Sequence, residues 1–166
     1  MLREHREIQR WIKRKYGDRF EVLAEIDHQN CLPDRKKGHW YQPDVILREQ
    51  NGTKDVRYII EVENDPMRKV IAGACLLADC CLEKMQKAKA ELLFIVFSKG
   101  GKREIENFRN KVEFVRHRLP HLSSIQVVTD KEFKQGRGFG KRSTRKKASR
   151  PQRDATRSKS ATVGRD

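Results

Sequence analysis

Apolar positions recur along the chain with two different periods. Between residues 2 and 16, Ile8, Trp11, Ile12 and Tyr16 fall on one face at 3.6-residue spacing, which predicts a helix that Gly17-Asp18 ends. From Glu21 to Asp27 the pattern switches to alternation, with Val22, Ala24 and Ile26 on one side, and predicts a strand. Residues 28–39 are polar, contain Pro33 and Gly38, and read as a loop. A second strand is expected over Tyr41 to Arg48, with Val45 and Leu47 on one face and Asp44 and Ile46 on the other. Asn51-Gly52 is a strong hairpin signal, and the third strand, Val56 to Glu63, is centred on Tyr58-Ile59-Ile60.

The second half alternates helix and strand. Asp65 fits an N-cap and Pro66 the first position of a long helix. Val70, Ile71, Ala74, Leu77, Ala78, Cys81, Leu82 and Met85 give it a broad apolar face, so this helix is expected to be largely buried. Gly73 would let another element approach it closely. Leu92 to Phe97 is a continuous apolar run, as in a central strand. Residues 102–118 predict a helix with Ile105, Phe108, Val112 and Val115 inward and Lys102, Arg103, Arg109, Lys111, Arg116 and Arg118 outward. Ile125 to Val128 is the last predicted strand. The order α-β-β-β-α-β-α-β implies an α/β fold with a mixed sheet: a hairpin followed by helical crossovers. No internal repeat is visible.

Composition divides this picture in two. Among the 166 residues are 38 Lys+Arg and 23 Asp+Glu, a formal net charge of +15. Residues 134–166 hold 12 of the basic and 2 of the acidic side chains. From Gln135 onward there is almost no apolar residue, so the segment cannot bury enough surface to offset its ordering entropy. The expected organisation is an α/β domain over 1–134 and a disordered basic tail over 135–166. Positive blocks attract polyanions without any fold, so the tail reads as a nucleic-acid tether, the alternative being a solvating tail with no specific role.

Other classes fall away. No apolar stretch approaches the ~20 residues a membrane span needs. The charged start, Met1 to Arg6, has no apolar core, so no secretory leader is expected. Cys31, Cys75, Cys80 and Cys81 contain no C-x-x-C pattern and read as reduced thiols of a cytoplasmic protein rather than as a zinc site.

Most acidic residues are scattered over charged faces, but three are not. Asp44 follows Pro43 within the second predicted strand, and Glu61 and Glu63 end the third on a shared face. Three carboxylates on adjacent strands repel unless a cation joins them, and Mg²⁺ takes carboxylate and carbonyl oxygens, the Val62 carbonyl among them. Equally open from the residues alone is a solvent-facing set paired with Lys or Arg.

Pro43-Asp44 on one strand and Glu61-Val62-Glu63 on the next, between a leading helix and a following helix and strand, resembles the PD-(D/E)XK nuclease superfamily. That superfamily holds many restriction enzymes and the archaeal Holliday-junction resolvases. The resemblance covers residues 2–97 and implies a restriction-endonuclease-like α-β-β-β-α-β core, here with an added helix and strand. It implies that Asp44 and Glu61 hold Mg²⁺ or Mn²⁺, that Glu4 of the first helix is a further metal ligand, and that the third catalytic position is Glu63. Most members carry Lys there, and some restriction enzymes carry Glu. The implied activity is metal-dependent hydrolysis of DNA phosphodiester bonds; the alternative is a catalytically inactive nucleic-acid-binding module of the same fold. DNA is the first expected partner and RNA the second, held by Lys102, Arg103, Arg109, Arg137, Lys141 and Arg142. A homodimer is compatible with this reading and a membrane is not.

Overall fold

The computed structural model describes residues 3–33, 39–53, 55–64, 68–85, 89–97 and 102–139. The chain begins with helix α1 (Arg3–Tyr16), followed by strand β1 (Phe20–Ala24) and a 3-10 turn over Glu25–Asp27. Two short strands, β2 (Leu32–Pro33) and β3 (His39–Tyr41), pair with each other. Then come β4 (Val45–Glu49), β5 (Val56–Glu63), α2 (Arg68–Met85), β6 (Ala90–Val96), α3 (Lys102–Arg116), β7 (Leu122–Thr129) and α4 (Asp130–Lys134).

The main sheet has five strands in the order β1-β4-β5-β6-β7. β1 pairs with β4 and β4 with β5 antiparallel, whereas β5 pairs with β6 and β6 with β7 in parallel. The sequence explains the change of sense. The turn at Asn51-Gly52 allows only an antiparallel return, whereas each of the later strands is reached through a helix. The protein is therefore an α/β fold with a mixed sheet, as the order of elements implies. β5 and β6 are each paired on both sides, which fits their continuous apolar runs.

Two apolar clusters cover the two faces of this sheet. One joins Ile46, Ile59, Leu92, Phe94 and Val127 to Ile71, Ala78 and Leu82 of α2 and Phe108 and Val112 of α3. The other joins Val45, Leu47, Ile60, Val62, Leu93 and Ile95 to Ile8 and Ile12 of α1 and Phe133 of α4. Strand alternation thus sends Ile60 and Val62 toward α1, while Ile59 lies on the α2 side.

Several expectations shift. The first strand stops at Ala24, because the backbone turns tightly through Glu25–Asp27. Tyr41 belongs to β3 rather than to the strand holding Val45. The long helix is not buried along its whole apolar face: Val70 and Leu77 of that face are exposed, as is Leu76 beside it, since no described element covers them. Nothing lies within 4 Å of the position a Cβ would take on Gly73. Asp65 and Pro66 lie outside the described residues.

The folded part also runs past residue 134. α4 was not expected, although Thr129 and Glu132 carry its signal. The Thr129 hydroxyl accepts from the Glu132 N–H at 3.0 Å, and the Glu132 carboxylate accepts from the Thr129 N–H at 2.9 Å. Past this helix, Gly138 packs against Leu93 at φ 103, where a Cβ would meet the Leu93 side chain at 3.1 Å. The Phe139 ring sits 4.5 Å from Tyr16 and 4.6 Å from Tyr58, centroid to centroid. The domain boundary expected after residue 134 therefore moves to at least 139, because Phe139 supplies apolar surface that the rest of the basic segment lacks. Residues 140–166, including Lys141 and Arg142, lie outside the described residues. Among the described residues no helix is long and apolar enough to cross a membrane.

Candidate functional site

The β4–β5 pairing sets the first two carboxylates against each other. Val45 is in register with Ile60, so Asp44, just before β4, stands opposite Glu61. Each carboxylate accepts from the other strand's backbone. Asp44 Oδ2 accepts from the Val62 N–H at 2.7 Å, and Glu61 Oε2 accepts from the Asp44 N–H at 3.3 Å. The approach to Asp44 is fixed from below by Asn30, whose amide donates to the Pro43 carbonyl at 2.6 Å, and by the Glu25 N–H, which donates to the Asp44 carbonyl at 2.9 Å.

Glu61 is 9% exposed and points to the α2 side of the sheet. Tyr41 of β3 donates its hydroxyl to Glu61 Oε1. Burial pushes the Glu61 carboxyl up to about 8, the Asp44 charge adds to the rise, and the bonds from Tyr41 and the Asp44 N–H oppose it. The Tyr41 phenol is itself raised well above its usual value, first by burial and then by the Glu61 charge. Behind the pair lies Cys75 of α2, whose thiol is pushed up to about 12, chiefly by burial. None of the four cysteines forms a disulfide, and Cys75 is buried and inert.

The leading helix reaches Asp44 through side chains that the apolar pattern did not single out. His5 Nδ1 lies 3.6 Å from Asp44 Oδ1, and its ring stacks on Phe97. The contact with Asp44 raises the His5 pKa against the opposing effect of burial. Gln9, with no exposed surface, reaches both Asp44 Oδ1 and Glu25 Oε2 at 3.4 Å and accepts from the Ile26 N–H at 3.0 Å. One turn further on, Lys13 binds Asp27 at 2.7 Å. His5, Gln9 and Lys13 repeat every four residues, so they form a polar line beside the apolar stripe of Ile8 and Ile12. Glu4, the acid expected from this helix, is half-buried next to His5. Glu63 is half-buried at the end of β5, and its charge contributes to the rises at both Glu61 and His5.

Two carboxylates at hydrogen-bond distance from each other's backbone form an oxygen-rich donor set of the type Mg²⁺ takes, with the rest of its shell from water and substrate. Asn64 Oδ1, one residue past Glu63, is a buried acceptor with no hydrogen-bond partner among the described residues, and such an atom suits a cation's water shell. Oxygen ligands of the kind a divalent ion takes are therefore present. Among the described residues, though, no group of three or more His, Cys, Asp or Glu side chains lies close enough to hold one by itself.

The expected nucleic-acid contacts divide. Lys102 and Arg103 are exposed at the start of α3. Arg109 is engaged within the fold: it donates to the Val127 carbonyl at 3.3 Å and pairs with Glu132 at 3.2 Å, which pins α3 to the β7–α4 corner. Arg137 pairs with the same Glu132 at 3.1 Å. Burial does not govern Glu132; its bond from the Thr129 N–H, aided by both arginines, lowers its pKa. Arg6 and Arg10, not singled out from the sequence, are exposed on α1, the helix that supplies His5 and Gln9. Comparison of the chain with family models, with curated proteins and with solved structures finds no match.

Proposed function

We propose that the protein is a divalent-metal-dependent phosphodiesterase acting on nucleic acid, DNA first, built on a restriction-endonuclease-like core. The observation that carries this reading is the Asp44–Glu61 pair. Two carboxylates are held together by reciprocal backbone bonds, and one is so desolvated that its pKa rises to about 8. Desolvated, mutually charged carboxylates of this kind cluster at functional sites.

Asp44 and Glu61 would hold Mg²⁺ or Mn²⁺. A bound ion supplies charge stabilisation at the scissile phosphate and lowers the pKa of a water. The chain's own groups supply the rest. Gln9 and His5 fix the orientation of Asp44, and Tyr41 fixes that of Glu61. Glu63, on the same side of β5, accepts the proton of the attacking water as general base. The exposed Arg6 and Arg10 of α1, with Lys102 and Arg103 of α3, grip the phosphate backbone without reading sequence.

A second reading, a nucleic-acid-binding module that has lost its chemistry, draws support from the absence of a third close ligand among the described residues. One experiment separates the two. Wild type, Asp44→Asn and Glu61→Gln are incubated with linear, circular, branched and single-stranded DNA over a Mg²⁺ and Mn²⁺ titration. The nuclease reading expects metal-dependent cleavage by wild type and at least a hundredfold loss in both variants. Binding by wild type without cleavage of any substrate leaves the module.

A further inference from the structure

Away from the carboxylates, α2 and α3 form an open cleft with a second constellation. Asn107, Asn110, Lys111 and Phe114 lie at three- and four-residue spacing on one face of α3. Facing Ile71 and Ala72 of α2, they line a cleft of about 400 Å³. Phe114 is 80% exposed, the most exposed of the large apolar side chains among the described residues. Nothing among the described residues covers it: the apolar stripe of α3 runs through Ile105, Phe108 and Val112 on the opposite side. The side chains of Asn107, Asn110 and Lys111 make no hydrogen bond or ion pair among the described residues, whereas Arg109 and Arg116 of the same helix are ion-paired.

The chemistry of this face selects among occupants. A flat aromatic ring offers a stacking platform that any base accepts. Carboxamides both donate and accept, which matches the edges of bases. A lysine beside them suits a phosphate. An apolar helix of a protein partner would instead bury two amides and an ammonium without partners, which is costly. Helix α3 carries five Lys and Arg against three Glu, so a second copy would bring like net charge to this face, whereas a polyanion would bring the opposite. We infer that this cleft binds an unpaired nucleobase of a single-stranded nucleic acid, with Phe114 stacking on the base, Asn107 and Asn110 along its edge, and Lys111 at the adjoining phosphate. The inference deepens the reading above by naming the kind of strand the protein holds, and rests on that reading only for the class of polymer.

The test uses the full chain in EDTA, so that cleavage plays no part. Affinities for labelled oligothymidylate, oligouridylate and a blunt duplex are measured by anisotropy as salt is varied. Phe114→Ala, an exposed change that the fold tolerates, should weaken single-strand binding at least about fivefold with no change in salt slope. Phe114→Trp should retain affinity, since it keeps the stacking surface. Lys111→Ala should flatten the single-strand slope by about 0.7, one phosphate contact. Duplex affinity should not respond to Phe114→Ala. Loss on either single-stranded polymer supports the cleft and tells DNA from RNA. Unchanged affinity of Phe114→Ala on both polymers, or an equal loss on duplex, overturns it. So does a change from dimer to monomer on light scattering, which would seat a second copy in the cleft. A wild type that binds single strands in this way but never cleaves would defeat the nuclease reading and leave the cleft standing.

Discussion

Replacing Glu61 by Gln removes a charge while keeping the shape and one of the two acceptor oxygens: the carbonyl can still accept from the Asp44 N–H, and the NH2 takes the place of the oxygen facing Tyr41, whose phenol oxygen can accept in turn. In the metal-free protein the Glu61 carboxyl is raised to about 8, mainly by burial, against an ordinary value of 4.5 in the unfolded chain. The folded state therefore holds this proton more tightly than the unfolded one. Below pH 4.5 both states are protonated and no penalty arises. Between 4.5 and about 8 the unfolded chain ionises and the folded one does not, so stability falls as pH rises, and above 8 the loss levels off. The gap corresponds to at most ~5 kcal/mol, a large share of the 5–15 kcal/mol typical of a domain. Glu61→Gln has no such titration. Urea unfolding in EDTA from pH 4.5 to 9 should show the variant gaining on wild type across that window, by several kcal/mol at the top. His5 is also raised, chiefly by its contact with Asp44, and loses its contribution as pH rises from 6.5 through its folded value. It does so in both proteins, so the difference curve isolates Glu61. Parallel stability curves would refute the claim that burial and Asp44 oppose the ionised form.

Three further outcomes are expected. Phe139→Ala removes a half-buried ring from the cluster of Tyr16, Tyr58 and Phe133 and should cost about 1–2 kcal/mol in chemical denaturation, whereas ending the chain after Gly140 should leave the melt unchanged. Gln9→Leu leaves the Ile26 N–H and two carboxylates without their partner and should destabilise by about 1–3 kcal/mol while raising the metal concentration needed for cleavage. Buried Asp79 of α2 accepts from the His121 and Leu122 N–H groups at 2.8 and 3.2 Å, so Asp79→Ala should cost about 1–3 kcal/mol and speed amide exchange at the start of β7.

Legibility from sequence followed the kind of force involved. β5 was readable to the residue because Ile59, Ile60 and Val62 force a strand and Asn51-Gly52 fixes the turn before it. The opposition of Asp44 to Glu61 was not: a two-residue turn at Asn51-Gly52 would set Asp44 against Ile59, and a longer loop with a register shift between Leu47 and Arg48 moves the pairing by two residues. His5 and Gln9 escaped because apolar periodicity marks only the greasy part of a buried face. The polar line His5-Gln9-Lys13 sits one residue from Ile8 and Ile12, and its spacing of four was the available signal. Arg109 read as a surface cation because its partner Glu132 lies 23 residues away on a helix that was not anticipated. That helix had a local signature, Thr129-x-x-Glu132, directly after a strand. The exposure of Val70 and Leu77 was not legible, since periodicity identifies an apolar face but not whether the chain provides a cover for it.

The docking of Phe139 ties the two ends of the folded chain into one mechanical seam. Its ring rests on Tyr16 of α1 and on Phe133, which in turn meets Trp11. α1 is the helix that also delivers His5 and Gln9 to Asp44. A load applied to the basic segment after Phe139 therefore pulls against the same helix that orients a carboxylate of the candidate site. Linkage of this kind is reciprocal. Any free energy that holding Asp44 against α1 lends to the seam at Phe139 would be the same free energy that a pull on the basic segment takes from Asp44.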